Sequence, residues 1–151
     1  MNLTQKETEL LKDLQSQEKL CMEKYRKYAD SACDNCLKGL FSSLCSNEEA
    51  HYQTVSRILS GEEVSVNQSP TAVSQKLECT PSSCDAKAKE NDGYLCKDAL
   101  AMEKHVSALY NTSVFEFSSP VLRDTLANIQ KEEQNHGEQL YQYLAANNMY
   151  A

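Results

Sequence analysis

The sequence has little of what builds β-structure, turn-rich folds or membrane spans. Its 151 residues include only four glycines, three prolines and no tryptophan. That composition suits a few long helices better than a β-sandwich. No run approaches the roughly 18 to 20 apolar residues of a membrane-spanning helix, and the charged residues 1–14 lack the apolar segment of a secretory signal. We therefore expect an all-helical domain that is made in the cytoplasm, with no signal peptide and no membrane partner.

Positive charge is also scarce. The chain has 15 Lys plus Arg against 22 Asp plus Glu, which gives a formal net charge of −7. Nucleic-acid binding depends on clustered Lys and Arg, so we expect no nucleic-acid partner. The hydrophobic fraction of 40% is enough for a chain of this length to form one real core.

Apolar residues spaced alternately three and four apart predict four amphipathic helices. Thr4 and Glu7 form a capping box before the first helix, which we expect to continue to about Ser31. A second helix follows the turn at 33–36 and ends before Gly61, a residue suited to a C-terminal cap. This first hairpin spans about residues 4–60.

The second half of the chain repeats the first. Asn91 and Asp92 can cap a third helix, and Ser119 with Pro120 is a good start for a fourth. The second hairpin then spans about residues 91–146, and an offset of 85 residues relates it to the first. An internal duplication of a helical hairpin is the economical explanation.

The link between the hairpins, residues 61–90, is long and polar. A link of about thirty residues is unusual inside a compact domain unless it has a distance to cover. Here it can return the chain along a helix of about 27 residues, roughly 40 Å. The expected fold is therefore one all-α domain, a four-helix bundle of the ferritin-like kind with one long crossover. An up-down-up-down bundle would not need so long a link.

Six charged or polar side chains interrupt the apolar seams at matching places. In an antiparallel pair of helices, residues at equal distances from the connecting turn lie at the same height. For each Glu of the first and third helices, the residue number midway to its partners on the next helix falls inside the turn. All six side chains should therefore lie near mid-height and point inward. The first helix carries Glu18 and the third Glu103. The second and fourth each carry a Glu-x-x-His on one face. The set is Glu18, Glu48, His51, Glu103, Glu133 and His136.

Four carboxylates and two imidazoles in an apolar interior require compensating positive charge, because buried unpaired carboxylates are costly and repel one another. Two divalent metal ions, iron or manganese, suit this ligand set. We expect Glu48 and Glu133 to bridge the ions, Glu18 and Glu103 to be terminal ligands, and each histidine to bind one ion. The pattern is that of di-iron and di-manganese carboxylate bundles.

Tyr25 and Tyr110 each follow a predicted ligand, Glu18 or Glu103, by two helical turns. Two interpretations remain open. Each tyrosine packs in the core with its hydroxyl on a carbonyl oxygen, or each orients a ligand carboxylate across the bundle.

These motifs resemble a known superfamily over nearly the whole chain. The two Glu-x6-Tyr pairs and the two Glu-x-x-His pairs are similar to the paired motifs of ferritin, rubrerythrin and manganese catalase. The segment from Leu3 to Glu63 more narrowly resembles the spore coat protein F family. The resemblance implies the same metal ligands, oxidation of ferrous iron or removal of peroxide, and a protein that moves from the mother-cell cytoplasm to the spore coat.

The seven cysteines do not follow the pattern of a small secreted disulfide protein. In the expected topology Cys79 and Cys84 come near Cys33 and Cys36. A four-thiolate zinc or iron site there, thiols that cross-link neighbouring molecules, and solvated thiols are all open. Cys21 and Cys96 lie on the seams and are expected to be small buried residues.

Two functions follow from these observations. In the first, the protein is a di-metal oxidoreductase, a peroxidase, catalase or ferroxidase, with hydrogen peroxide or oxygen as its small substrate. In the second, it is a structural coat component that associates with itself or other coat proteins through cysteines and keeps a metal for stability.

Overall fold

The computed structural model describes residues 2–65 and 76–150, and this part of the chain contains four α-helices and no strand. The helices are α1 (Gln5–Ser31), α2 (Asn35–Leu59), α3 (Ala86–Glu116) and α4 (Pro120–Ala146). They pack side by side as α1 on α2, α3 on α4, α1 on α3 and α2 on α4. The predicted all-α four-helix bundle is confirmed.

Side chains at each helix start satisfy backbone donors that the helix leaves unpaired. The predicted capping box is present, with Thr4 Oγ1 accepting from Glu7 N at 3.1 Å and Thr4 N donating to Glu7 Oε2 at 2.8 Å. Asp34 caps α2. Ser119 caps α4 with Pro120 in its first turn, as predicted. Gly61 follows α2 with a φ of +86°, a backbone conformation that glycine adopts without strain.

The third helix begins earlier than predicted. Asp85, not Asn91 or Asp92, is its N-cap, and the Asp85 side chain accepts from Ala88 N at 2.8 Å. The start was misplaced because the first turns of α3 are polar, so the apolar seam begins well inside the helix. The link is correspondingly shorter than residues 61–90, and its segment 66–75 lies outside the described residues.

The long crossover makes α2 and α3 parallel. Disulfides join Cys33 to Cys84 and Cys36 to Cys79, so the start of α3 lies at the same end of the bundle as the start of α2. The chain leaves α2 at the opposite end and must return along the bundle before α3 begins. Helices α1 and α2, and likewise α3 and α4, are antiparallel across their short turns.

Each hairpin holds the turn of the other through one buried carboxylate. Asp92 accepts from Cys33 N at 2.8 Å and from Asp34 N at 3.0 Å. Glu7 accepts from Ser118 N at 2.9 Å in the turn between α3 and α4. The 85-residue offset relates Glu7 to Asp92 and Cys33 to Ser118, so the two contacts are the same device used twice. Both carboxylates compensate backbone donors that burial would otherwise leave unpaired.

The interior consists of two apolar clusters separated by a polar middle. One cluster fills the end near the turn between α3 and α4, and it includes Leu11, Ile58, Leu122 and Leu126. The other fills the disulfide-linked end, and it includes Leu37, Phe41, Leu140 and Tyr143. None of the described helices is long and apolar enough to span a membrane.

Candidate metal centre

The structure brings all six predicted ligand residues together at mid-height of the bundle. All six are buried, with no residue more than 3% exposed. Helices α1 and α3 each supply one carboxylate, and α2 and α4 each supply a Glu and a His one turn apart. The residues are Glu18, Glu48, His51, Glu103, Glu133 and His136.

These residues form two overlapping groups of four. In each group one oxygen or nitrogen from every member lies within 4.8 Å of the others. One group adds Glu18 and His51 to the shared pair Glu48 and Glu133. The other adds Glu103 and His136 to the same pair. We name the space inside the first group position 1 and the space inside the second group position 2.

The Nδ1 atom of each histidine faces the carboxylates. His51 Nδ1 lies 3.1 Å from Glu133 Oε1, 3.3 Å from Glu48 Oε2 and 3.7 Å from Glu18 Oε1. His136 Nδ1 lies 3.0 Å from Glu48 Oε1, 3.3 Å from Glu133 Oε2 and 3.4 Å from Glu103 Oε1. The two imidazole rings are stacked, with centroids 5.8 Å apart. Each ring therefore offers one nitrogen to one position.

The outer nitrogen of each histidine contacts a residue that the sequence reasoning missed. His51 Nε2 pairs with the Glu132 carboxylate, and His136 Nε2 lies 3.3 Å from Asn47 Nδ2. Asn47 and Glu132 occupy matching places in the repeat, directly before Glu48 and Glu133. Their position next to a predicted ligand is the only feature of the sequence that could have indicated these two residues, because neither lies on the inward-facing side of its helix.

The two tyrosines reach across the bundle to carboxylates of the opposite hairpin. The Tyr25 hydroxyl donates to Glu103 Oε1, and the Tyr110 hydroxyl donates to Glu18 Oε1. Both rings are fully buried. Of the two interpretations open from the sequence, the hydroxyls adopt the geometry of the second, with each one fixing a carboxylate and not a backbone carbonyl.

Three buried carboxylate oxygens accept no hydrogen bond of good geometry among the described residues: Glu18 Oε2, Glu103 Oε2 and Glu133 Oε2. The third has His136 Nδ1 as a neighbour at 3.3 Å. A buried acceptor without a partner costs about 1 to 3 kcal/mol, and more if it is charged. Carboxylate oxygens and imidazole nitrogens gathered at one place are suitable ligands for iron or manganese. The residues present therefore fit two divalent ions.

Burial and mutual repulsion change the pKa values of the carboxyl groups. Burial, followed by the charge of Glu133, raises the pKa of Glu18 to about 7 and that of Glu103 to about 8. The same two causes raise the pKa of Glu48 well above its usual value. Burial acts on Glu133 too, but hydrogen bonds with Glu103, His136 and His51 prevail and hold its pKa well below the usual value. Without metal, protons supply much of the compensating charge.

Both histidines hold their protons more tightly than usual. Burial opposes the charged ring of His51, but hydrogen bonds with Glu132 and Glu133 prevail and raise its pKa well above the usual value. The pKa of His136 is raised in the same direction against burial, first by the charge of Glu103 and then by its hydrogen bonds. A metal ion would have to displace these protons, so metal binding at this centre releases protons.

The cysteine expectations need correction. The structure pairs Cys33 with Cys84 and Cys36 with Cys79 inside one chain, so these four are neither a thiolate metal site nor free thiols for cross-linking. The topology had brought the right four residues together, but connectivity cannot be deduced from sequence alone. Cys21 and Cys96 are free and buried, as predicted, and Cys45 is free and half-buried.

One comparison with known proteins identifies a family segment. The family model described as the Coat F domain matches residues 91–151, which cover most of α3 and all of α4. The resemblance to the spore coat protein F family is thus confirmed over this segment, although the sequence similarity that suggested it lies in residues 3–63. No curated protein and no solved structure matches the chain. The likeness to ferritin, rubrerythrin and manganese catalase stays a prediction.

Proposed function

We propose that this protein is a spore coat component whose bundle holds two iron or manganese ions and uses them on hydrogen peroxide or oxygen. The observation that carries the proposal is the pair of overlapping four-residue groups that share Glu48 and Glu133. Two groups with two common carboxylates are the arrangement that places two ions side by side.

The unpartnered carboxylate oxygens support the same conclusion. Burying four carboxyl groups and two imidazoles between two apolar clusters is expensive, and replacing such groups by apolar residues usually stabilises a fold. The interior keeps them at matching places in the two hairpins, with tyrosine hydroxyls on two of the carboxylates and with three buried oxygens that accept no hydrogen bond. A cation site accounts for both features.

Two ions held by these six residues would supply Lewis-acid and redox chemistry to a small oxygen substrate. The chain's own residues supply the remaining requirements. Tyr25 and Tyr110 hold the terminal carboxylates in place, and the two apolar clusters restrict water on either side of the centre.

The reaction divides into three cases by electron balance. Disproportionation of two hydrogen peroxide molecules to two waters and oxygen needs no external reductant. Reduction of peroxide to water needs two electrons from a donor, and oxidation of ferrous iron supplies electrons from the metal itself as substrate. Peroxide loss with and without a reductant, measured beside oxygen release, distinguishes these cases.

The coat location rests on the family match over residues 91–151. It also favours a second candidate function, a structural coat protein that keeps metal only for stability. The specific observation in favour is the pair of disulfides at one end of the bundle, which brace the fold independently of the centre. In that case the partners are other coat proteins or further copies of this chain, and contacts between them do not use the four paired cysteines.

The test is peroxide consumption by purified protein after loading with manganese or iron. We expect turnover by the wild type and none by Glu48→Gln, whose shared ligand is lost. Glu49 is exposed and directly follows Glu48, and the 85-residue offset relates it to Gln134. The control variant Glu49→Gln should therefore behave as the wild type. Retained metal without turnover would favour the structural coat protein, and absence of metal would contradict both versions.

A further inference from the structure

The two halves of the centre are not equivalent, because their histidines have different outer partners. At position 1, His51 Nε2 pairs with the carboxylate of Glu132, whose side chain is 12% exposed. At position 2, His136 Nε2 faces the amide of Asn47, an exposed residue. The six inner ligands repeat at the 85-residue offset, whereas this outer pair does not.

We propose that Glu132 makes position 1 the high-affinity site and that Asn47 leaves position 2 weaker, so that the two ions bind in sequence. This inference rests on the dinuclear centre proposed above. It assigns Glu132 and Asn47 as positioning residues, which act on an ion through the histidine that each one contacts.

A carboxylate on the outer nitrogen prepares an imidazole for a metal. Glu132 can only accept a hydrogen bond when ionised, so His51 must carry a proton on Nε2 and present Nδ1 to the ion. The negative charge also makes the ring a stronger ligand and adds attraction for a cation. Loss of such outer partners typically weakens metal binding by about 10- to 100-fold.

The amide at position 2 does neither. An amide can present either its donor or its acceptor to His136 Nε2, 3.3 Å away, so it does not fix which ring nitrogen carries the proton. Whichever way the amide faces, it has no charge to add.

Differences elsewhere around the centre do not offset this asymmetry. The terminal carboxylates Glu18 and Glu103 each receive one tyrosine hydroxyl, and the shared carboxylates serve both positions. Among the contacts described above, the outer partner of the histidine is thus the main chemical difference between the two positions. It predicts which ion is held and which one exchanges.

The experiment is stepwise addition of Mn²⁺ to metal-free protein, followed by calorimetry and by electron paramagnetic resonance. We expect two steps whose dissociation constants differ by about tenfold or more. The first equivalent should give the spectrum of an isolated Mn²⁺, and the second should convert it to that of a coupled pair. Neither readout depends on catalysis.

Variants assign the steps to positions. Glu132→Gln should weaken the first step by about 10- to 100-fold and leave the second nearly unchanged. Asn47→Glu places at position 47 the residue type of Glu132, its equivalent in the repeat. This variant should lower the dissociation constant of the second step, so that the two dissociation constants become similar. Glu18→Ala should abolish the tight step, and Glu103→Ala should abolish the weak one. Glu49→Gln is the control for an altered exposed charge on the same helix.

The outcomes separate this inference from the function beneath it. Two ions with equal affinities in the wild type, or a Glu132→Gln variant that binds both ions as the wild type does, would overturn the inference and leave the dinuclear centre standing. No bound ion in the wild type would overturn the proposed function and this inference together. If Glu132→Gln does not fold, the exposed Asn47→Glu decides alone: a tighter second step supports the inference and an unchanged one overturns it.

Discussion

The two hairpins are nearly identical at mid-height and differ at their ends and outer faces. Each contributes a Glu, a Glu-x-x-His and a tyrosine to the centre, at positions that the 85-residue offset relates. At the turns the likeness ends, because Cys33 and Cys36 of the first turn correspond to Ser118 and Val121 of the second. Only the first turn is tied by disulfides to the chain before α3. The features shared by both hairpins at mid-height are those that the centre requires, and the Glu7 and Asp92 contacts are shared at the ends.

The largest expected effect tests the equivalence of the two hairpins at the shared ligands. Glu48→Gln and Glu133→Gln should each lose both ions, because each carboxylate belongs to both groups of four. Metal analysis after desalting measures this loss, with Glu49→Gln as the matched control. Retention of two ions by either variant would contradict the proposal that Glu48 and Glu133 are both ligands shared by the two ions.

The second prediction concerns the difference at the turns. Removing the Cys33–Cys84 disulfide by a Cys33→Ser, Cys84→Ser variant should reduce the free energy of unfolding by about 4 kcal/mol, from the entropy of a loop with a sequence separation of 51. Removing Cys36–Cys79 should cost less when the outer disulfide remains, because its loop is nested inside the other. Urea unfolding of the metal-free protein measures both values.

Metal content of these cysteine variants should be unchanged, because the disulfides lie at one end of the bundle and the centre at its middle. Cys45→Ser, at a free cysteine, is the control. An unchanged free energy of unfolding after loss of both disulfides would contradict the claim that they stabilise the end of the bundle that holds the first turn.

The third prediction is a pH dependence that differs between the terminal carboxylates. In the unfolded chain a glutamic acid loses its proton near pH 4.5, whereas folded Glu18 keeps it to about pH 7 and Glu103 to about pH 8. The metal-free fold therefore loses stability as pH rises from about 4.5 to about 8, at about 1.4 kcal/mol per pH unit for each protonated group. The raised pKa values of the histidines act in the same direction above pH 6.5.

Thermal denaturation with a chelator across this pH range provides the measurement. Glu103→Gln should make the decline between about pH 7 and 8 less steep, since the histidines also contribute to it, whereas Glu18→Gln should leave it nearly unchanged. The lowered pKa of Glu133 adds stability that is lost only as pH falls below about 4.5. With Mn²⁺ present the slope should reverse, because metal affinity rises as protons leave the ligands. A metal-free melting temperature that rises from pH 5 to 8 would contradict these directions.

The smallest effect tests the device that the hairpins share at their ends. Asp92→Asn and Glu7→Gln should each reduce stability by about 1 to 3 kcal/mol, since each removes a buried charge that accepts from backbone donors of the opposite turn. The two losses should add, because the turns lie at opposite ends of the bundle. Glu90→Gln, an exposed site, is the control. A silent change at either site would show that the two contacts are not equivalent.

Much of this architecture could be predicted because local signals agreed with the long-range pattern. Thr4 with Glu7 and Ser119 with Pro120 marked helix starts, and equal distances from the turns placed the six inner residues at one height. The start of α3 was misplaced because its cap, Asp85, precedes polar turns that carry no apolar period. Hydrophobic periodicity cannot locate the start of a helix whose first turns contain no buried apolar residue.

Contacts that join distant segments were beyond sequence reasoning. Asp92 was taken for a cap, but its carboxylate is buried against the turn of the other hairpin. Glu132 and Asn47 touch the centre only through a histidine of the facing helix, so no spacing within one helix indicates them. Metal binding itself stays a prediction.

The most direct test of the central claim is anomalous diffraction from crystals of the protein loaded with manganese or iron. We predict two peaks about 3.5 to 4 Å apart, with Glu48 and Glu133 between them, one peak on the Glu18 and His51 side and the other on the Glu103 and His136 side. A crystal that shows no anomalous peak among these six residues after loading would contradict the dinuclear centre.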